Sequence, residues 1–333
     1  MPNISLLNLT MNPGQIIFNL ITNSPYPFSR IAHGIRMFFI KAFDDPACLV
    51  NIRGDQVWLP LSHDLPVHSI KQKLYDTLPR RLGSYLRNKD GFLHCIDVGA
   101  NVGDSVFAFG KGKSDRFVAI EPHAKLSKYL HLNHGADNRV TIIEALCSDN
   151  LIPGNFTFAE HGGTATAIPD QTGNPCKVVT LDSIAKDLPR GAAPNMVKID
   201  TEGFDFQVLK GGKCLLEEFR PAILFECAYF EGVSGNFVED VLQTFTLLEE
   251  TGYSKVTLYD HLGWMMGAVP LNRKEQIGLL LHYHLTRNSL YFDVLCLSDI
   301  MFENFYPMES AYFASLIGNP AKRGNATTAA RLF

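Results

Sequence analysis

One short segment, Ile96–Asp104, constrains the fold of this chain more than any other feature of the sequence. It reads Ile-Asp-Val-Gly-Ala-Asn-Val-Gly-Asp, follows the apolar run Phe92 to Ile96, and precedes residues that can form a helix. A strand, a glycine-rich turn and a helix in this order form the ligand-binding loop of nucleotide-binding α/β domains. The chain is therefore expected to contain such a domain.

The acid in this segment indicates which ligand the loop suits. Asp97 ends the predicted strand just before Gly99, where a pyrophosphate would meet both a helix N-terminus and a repelling carboxylate. An adenosine cofactor whose polar end carries an ammonium and a sulfonium, S-adenosylmethionine, suits the loop better than NAD. A convincing NAD site would have a glycine in place of Asn101 and no acid at Asp97.

From Gly91 onward, short apolar runs alternate with amphipathic runs, which is typical of a doubly wound α/β sheet. Seven strands are predicted, and five helices lie between them. The strands are 92–97, 116–121, 139–146, 195–200, 222–227, 255–259 and 290–297, and the helices are 104–110, 123–135, 181–188, 204–211 and 236–252.

Three regions lie outside this regular pattern. Residues 1–90 are expected to be an N-terminal extension, a possible lid, with a hairpin at 49–61 and a helix at 70–87 that Pro79 breaks. The insert 148–194, within an α/β domain expected at 91–300, is expected to hold a hairpin of strands 156–158 and 177–179. Residues 261–289 are expected to be an irregular cap, and 301–333 a C-terminal helix followed by a mobile tail.

Acidic residues supply the candidate catalytic groups. Asp200 and Glu202 are two residues apart at the end of a predicted strand, so they project to the same side if the strand continues. Either carboxylate could accept the proton of an acceptor hydroxyl, or one could instead orient its loop. A divalent metal held by Asp200, Glu202 and Glu226 is a further interpretation; three acids at strand ends do not establish it, and no metal is predicted. His161, in a glycine-rich turn, is a further candidate base, and the predicted catalytic residues are Asp200, Glu202, Glu226 and His161.

Composition excludes several functional classes. The net charge is −4 and no long basic run is present, so nucleic acid is not an expected partner. No stretch approaches the roughly 20 apolar residues that span a bilayer. The seven cysteines are odd in number and show no Cys-x-x-Cys spacing, which favours reduced thiols and a cytoplasmic protein without a cleaved signal.

Several ordered motifs together resemble the FkbM-family methyltransferases. They are Asp97–Gly103, Thr180-Leu181-Asp182, Lys198–Gly203, Arg220-Pro221 and Glu226, spread over residues 92–227. Thr201 stands where Val is frequent in the family, and Asp205 where Glu is common; neither departure removes a carboxylate. The resemblance implies a Rossmann-like class I methyltransferase fold, S-adenosylmethionine as donor, and O-methylation of sugars or other secondary metabolites.

These observations give a specific functional expectation. Glu121, at the end of the second strand, is predicted to bind the ribose hydroxyls, and Ala145, beside Glu144 and Leu146, to lie near the adenine. The complete set predicted to bind the cofactor is Asp97, Gly99, Asn101, Gly103, Asp104, Glu121, Ala145 and Asp200. The expected activity is methylation of a hydroxyl on a sugar, glycan or hydroxylated natural product. An NAD-dependent oxidoreductase and a cofactor-binding module without turnover remain the alternatives.

Overall fold

The computed structural model describes residues 13–189, 192–229, 236–287 and 291–318, and the chain folds as two compact units. The first contains the described residues up to Lys73 together with His161–Thr164, and the second contains the described remainder. The sequence predicted a boundary near residue 90, and that prediction would be tested by limited proteolysis.

The first unit consists of short helices and one hairpin. Its elements are α1 (Pro13–Asn23), α2 (Phe28–Ala42), β1 (Ala47–Ile52), β2 (Asp55–Pro60) and α3 (Leu65–Lys71). The predicted hairpin is present: β1 and β2 pair antiparallel, and Arg53 and Gly54 form the turn with positive φ angles of 52° and 102°. The buried Arg36 guanidinium lies 2.7 Å from the Asp64 carboxylate and links α2 to the start of α3.

The second unit is built around one mostly parallel sheet. Its strands are β3 (His94–Val98), β4 (Arg116–Ile120), β5 (Val140–Ile143), β11 (Met196–Ile199), β12 (Ala222–Cys227), β13 (Lys255–Asp260), β14 (Met265–Pro270) and β15 (Phe292–Cys296). They lie in the order β14-β13-β15-β12-β11-β3-β4-β5. The five strands from β12 to β5 are mutually parallel, while β15 is antiparallel to both of its neighbours.

The predicted fold class is confirmed, but the strand count differs by one. The sheet has eight strands because Met265–Pro270 turns back along β13 as an antiparallel edge strand. This segment falls in the region expected to be irregular, 261–289, which also contains a regular helix, Lys274–Arg287. The sequence did not predict this hairpin, because the glycines at 263 and 267 interrupt the alternation of apolar and polar residues that indicates a strand.

Helices cover both faces of the sheet. They are α4 (Leu78–Asp90), α5 (Asp104–Phe109), α6 (Ala124–His134), α7 (Leu181–Asp187), α8 (Asp205–Lys210), α9 (Lys213–Phe219), α10 (Phe237–Glu250), α11 (Lys274–Arg287) and α12 (Asp299–Gly318). The five helices predicted between strands are all present. Pro79 lies in the first turn of α4, where its missing N–H costs no hydrogen bond, so it begins this helix instead of breaking one. The tail expected beyond residue 318 lies outside the described residues.

The insert between β5 and β11 forms small separate sheets. Strands β7 (Gly154–His161), β8 (Thr164–Pro169) and β9 (Asn174–Cys176) form a three-stranded sheet in the order β8-β7-β9. A hairpin is therefore present, but its second strand is β8, not residues 177–179. Within that predicted strand, Val178–Val179 (β10) pairs instead with Leu146–Cys147 (β6) in parallel.

The topology fixes where a ligand can bind. The chain runs outward from β3 through β4 to β5, then returns to β11 on the other side of β3. The loops after β3 and β11 therefore leave the sheet in opposite directions and open a crevice at the carboxyl edge, where open α/β sheets bind their ligands. None of the described helices is long and apolar enough to cross a membrane.

Candidate active site

Asp97 and Lys198 are neighbours at the carboxyl edge of the sheet because their strands pair in register. Asp97 on β3 is aligned with Lys198 on β11, and the lysine Nζ lies 3.8 Å from the Asp97 Oδ1. Asp97 is 0% exposed, and the Ser105 side chain lies near enough to hydrogen-bond its carboxylate, although no described residue makes a contact of good hydrogen-bond geometry with either oxygen. Burial raises the pKa of Asp97 to about 6, although Lys198 opposes the rise. Asp97 is thus a buried acid with unused acceptor capacity.

Lys198 also binds Asp200, which follows β11. Its Nζ donates to the Asp200 Oδ2 at 3.1 Å. Burial alone would lower the pKa of Lys198, but Asp200, Asp97 and Asp104 surround the ammonium and raise that pKa well above its ordinary value. The Asp200 side chain is 47% exposed, so this acid faces the solvent side of the crevice while Asp97 lies beneath it.

The glycine loop after β3 packs tightly against the loop after β11. A Cβ on Gly99 would lie 1.8 Å from the Asp200 carbonyl oxygen, and a Cβ on Gly103 would lie 2.4 Å from the His134 ring. Both glycines have positive φ, as has Asn101 at 52°. The sequence predicts that these glycines let the backbone approach a cofactor closely. In the structure, each glycine instead packs tightly against another part of the protein. Their contact with a cofactor stays a prediction.

Glu121 joins two loops at the same edge. Its Oε2 accepts a hydrogen bond from the Asn101 backbone N–H at 2.8 Å, and its Oε1 accepts one from the His123 backbone N–H at 2.8 Å. Burial raises the pKa of Glu121 to about 7, and the two amide donors oppose that rise. Each carboxylate oxygen can accept a further hydrogen bond, so these contacts leave room for two hydroxyl donors.

Asp205 organises the second motif loop, a role that the sequence did not reveal. Its Oδ2 accepts hydrogen bonds from both the backbone N–H and the hydroxyl of Thr201, and its Oδ1 accepts one from the Glu226 backbone N–H at 3.0 Å. The side chain is buried, and burial raises its pKa to about 6. The Asp205 carboxylate therefore holds the loop after β11 against the end of β12.

Glu226 and Asp293 form a second acidic pair. They are cross-strand partners on β12 and β15, and the buried Oε2 of Glu226 lacks a hydrogen-bond partner among the described residues. Burial raises the pKa of Glu226 well above its ordinary value, and the charges of Asp200 and Glu202 raise it further. The pKa of Asp293 is also raised, first by burial and then by Asp200. Several carboxyl groups thus face one another at this edge.

A comparison with protein families matches the part of the chain that forms this crevice. Residues 97–255 match the family model of the methyltransferase FkbM domain, a range that begins at Asp97 and includes both motif loops. This part of the chain is a methyltransferase FkbM domain. The predicted resemblance to this family is confirmed. No curated protein sequence matches the chain.

Solved structures similar to this chain include methyltransferases. The crystal structure of methyltransferase FkbM from Methylobacillus flagellatus KT is 17% identical, with 58% of this chain and 47% of that chain covered and a TM-score of 0.35. The crystal structure of precorrin-6y C5,15-methyltransferase from Geobacter metallireducens GS-15 is 14% identical, with 68% and 92% covered and a TM-score of 0.36. The present chain thus spans about half of the length of the first of these proteins.

The remaining predicted site residues occupy different places in the structure. Asp104 is the first residue of α5 in the FkbM domain, and burial raises its pKa. Ala145 is fully buried just after β5. Glu202 is half-buried in the loop after β11, with a positive φ of 53°. His161 is exposed and belongs to the first unit, and its catalytic role remains a prediction.

The placement of the acids at this edge bears on the metal interpretation. Among the described residues, no group of three or more His, Cys, Asp or Glu side chains is arranged to hold a metal ion. The metal interpretation of Asp200, Glu202 and Glu226 therefore has no support from their placement. A buried lysine between two aspartates instead supplies the positive charge at this edge.

Proposed function

We propose that this protein is an S-adenosylmethionine-dependent O-methyltransferase that methylates a hydroxyl of a sugar, glycan or hydroxylated natural product. The observation that carries the proposal is Asp97, a buried acid whose two oxygens keep unfilled acceptor positions beside Ser105 and Lys198, at the crevice of an FkbM domain. A cofactor with a cationic end supplies donors for such oxygens, whereas a pyrophosphate would be repelled.

The residues present fit this cofactor. Asp97 would accept from the methionine ammonium, directly or through water, because Lys198 at 3.8 Å neutralises part of its charge without occupying its acceptor positions. Glu121 would accept from the ribose hydroxyls with the lone pairs that Asn101 and His123 leave free. Asn101, Asp104 and Ala145 would line the rest of the site. When bound, the cofactor supplies an electrophilic methyl group.

The acids around the crevice suit a hydroxyl acceptor. Methyl transfer is an in-line displacement that mainly requires alignment, and a sugar hydroxyl is a poor nucleophile unless a base accepts its proton. Asp200 is the carboxylate best placed for this, since it is exposed to an arriving acceptor and paired with Lys198. Glu226, whose raised pKa favours the protonated form, would donate a hydrogen bond that orients the same acceptor.

Cofactor binding is tested first, by calorimetric titration of the purified protein with S-adenosylmethionine and separately with NAD. Binding of the methyl donor alone, weakened about tenfold or more by Glu121→Ala, is expected if two ribose hydrogen bonds are lost. Glu217→Ala is a suitable control, because this exposed glutamate on α9 pairs with the exposed Lys213 of the same helix. Binding of NAD instead would overturn the proposal.

Methyl transfer is tested next, with radiolabelled S-adenosylmethionine and a panel of monosaccharides, glycans and hydroxylated natural products. Label recovered in a base-stable ether on an acceptor oxygen supports the proposed reaction. Tight cofactor binding without transfer to any hydroxyl acceptor would instead indicate a binding module. Transfer only to nitrogen or carbon acceptors would contradict O-methylation while retaining the cofactor.

A further inference from the structure

Helix α2 presents an apolar stripe to solvent. Phe28, Ile31, Ile35, Phe38 and Phe39 are 63%, 57%, 43%, 64% and 37% exposed, respectively. Their spacing of three or four residues places them on one side of the helix, while Ala32 and Arg36 on another side are buried. Contiguous apolar patches of this kind are rare on monomeric proteins and mark surfaces that bind a partner or a membrane.

The stripe continues beyond α2. Tyr26 just before the helix is 74% exposed and Phe43 just after it is 60% exposed. On α1, which packs against α2, Ile16 and Leu20 are 37% and 46% exposed. The apolar surface therefore extends along the whole of α2 and onto the neighbouring helix.

The charged residues within α2 are all positive. Helix α2 itself contains Arg30, Arg36 and Lys41 and no aspartate or glutamate, and the exposed Asp44 follows just after its end. Arg36 is buried against Asp64, whereas Arg30 and Lys41 are exposed on the flank of α2 away from the stripe. An amphipathic helix with aromatic and aliphatic residues on one side and basic residues on the other lies in the interface of an anionic bilayer.

We propose that the α2 surface, defined as Tyr26, Phe28, Ile31, Ile35, Phe38, Phe39, Phe43, Arg30 and Lys41, docks on an anionic lipid bilayer. The aromatic and isoleucine side chains enter the interface between headgroups and acyl chains, while Arg30 and Lys41 extend to the lipid phosphates. A second copy of this chain fits less well, because α2 offers no aspartate or glutamate with which Arg30 and Lys41 of the other copy could pair.

The test is flotation of the full-length protein with vesicles of phosphatidylcholine mixed with phosphatidylglycerol, compared with vesicles of phosphatidylcholine alone. We expect binding to the anionic vesicles, reduced at least about tenfold by Ile31→Glu combined with Phe38→Glu. Arg30→Gln combined with Lys41→Gln is expected to weaken binding about fivefold for each charge removed. These are exposed positions, and matching circular dichroism spectra would verify that each variant folds.

A matched control separates this surface from apolar exposure in general. Leu279 and Ile300 are 70% and 74% exposed on α11 and α12 of the second unit, so Leu279→Glu combined with Ile300→Glu should leave flotation unchanged. Equal loss with this control pair would overturn the proposal. So would a stable dimer in light scattering that Ile31→Glu combined with Phe38→Glu dissociates, or absence of flotation with anionic vesicles.

Discussion

The carbonyl oxygen of Asp200 occupies the space that any side chain at position 99 would need. A Cβ built on Gly99 lies 1.8 Å from that oxygen, and Gly99 itself has a φ of 74°. The two motif loops, separated by about a hundred residues in sequence, are thus packed backbone against backbone at the crevice. The first motif therefore requires a glycine at position 99, because the backbone of the second motif leaves no room for a side chain there.

Gly99→Ala is therefore expected to lower the free energy of unfolding by about 3 kcal/mol, because the backbone of one loop must move. Gly91→Ala is the matched control: Gly91 has a φ of 82° but no atom within 4 Å of its added Cβ. That control should lose only about 1 kcal/mol, the cost of the left-handed conformation. Equal losses in chemical denaturation would contradict a steric role for Gly99.

The raised pKa of Asp97 makes stability depend on pH. The folded protein keeps this proton up to about pH 6, whereas the unfolded chain releases it near the ordinary pKa of 3.8. Between these values the folded state binds more protons, so the free energy of unfolding falls as pH rises and the loss is complete above about pH 6. The contribution is roughly 3 kcal/mol for a shift of about two pKa units.

Asp97→Asn should remove this part of the pH dependence, so that the variant gains stability relative to the native protein as pH rises from about 4 to about 6. Urea denaturation at several pH values measures the difference. Asp187→Asn, on the exposed end of α7, serves as the control and should follow the native profile. A parallel profile for Asp97→Asn would show that its pKa is not raised.

Lys198 is expected to stabilise the folded protein by neutralising the acids on either side of it. Lys198→Met leaves Asp97 buried without its nearby cation and should lower the free energy of unfolding by about 3 kcal/mol. Lys213→Met, at an exposed lysine with two long surface ion pairs, should change it by less than about 0.5 kcal/mol. Similar effects of the two substitutions in urea denaturation would contradict this role.

The proposed reaction distinguishes the three acids of the crevice. Asp200→Asn should lower kcat by about a hundredfold or more, because the acceptor hydroxyl loses its base. Glu202→Gln should retain most of the turnover, and Glu226→Gln should mainly raise KM for the acceptor because glutamine keeps a donor. Steady-state kinetics with a hydroxyl acceptor measures all three. Full turnover by Asp200→Asn would assign the proton transfer to another group.

Much of the fold followed from the sequence because its signals are local. Asp97 and the glycine turn, the alternation of apolar and amphipathic runs, and the hairpin turn at Arg53 and Gly54 are each encoded within a few residues. The additional edge strand Met265–Pro270 was missed because glycines interrupt its pattern and pairing with β13 stabilises it. The second strand of the inserted hairpin was misplaced for a similar reason, since Val178–Val179 pairs with a strand distant in sequence.

The sequence by itself determined the order of the elements, the two motif loops and the acids at the strand ends, because periodicity and turn chemistry depend on neighbours along the chain. Only the tertiary structure decided what each acid contacts. The register of β3 and β11 places Lys198 beside Asp97, and the end of β12 reaches Asp205. Such contacts depend on strand order, and burial then sets the pKa of each carboxyl through desolvation, which no local pattern reveals.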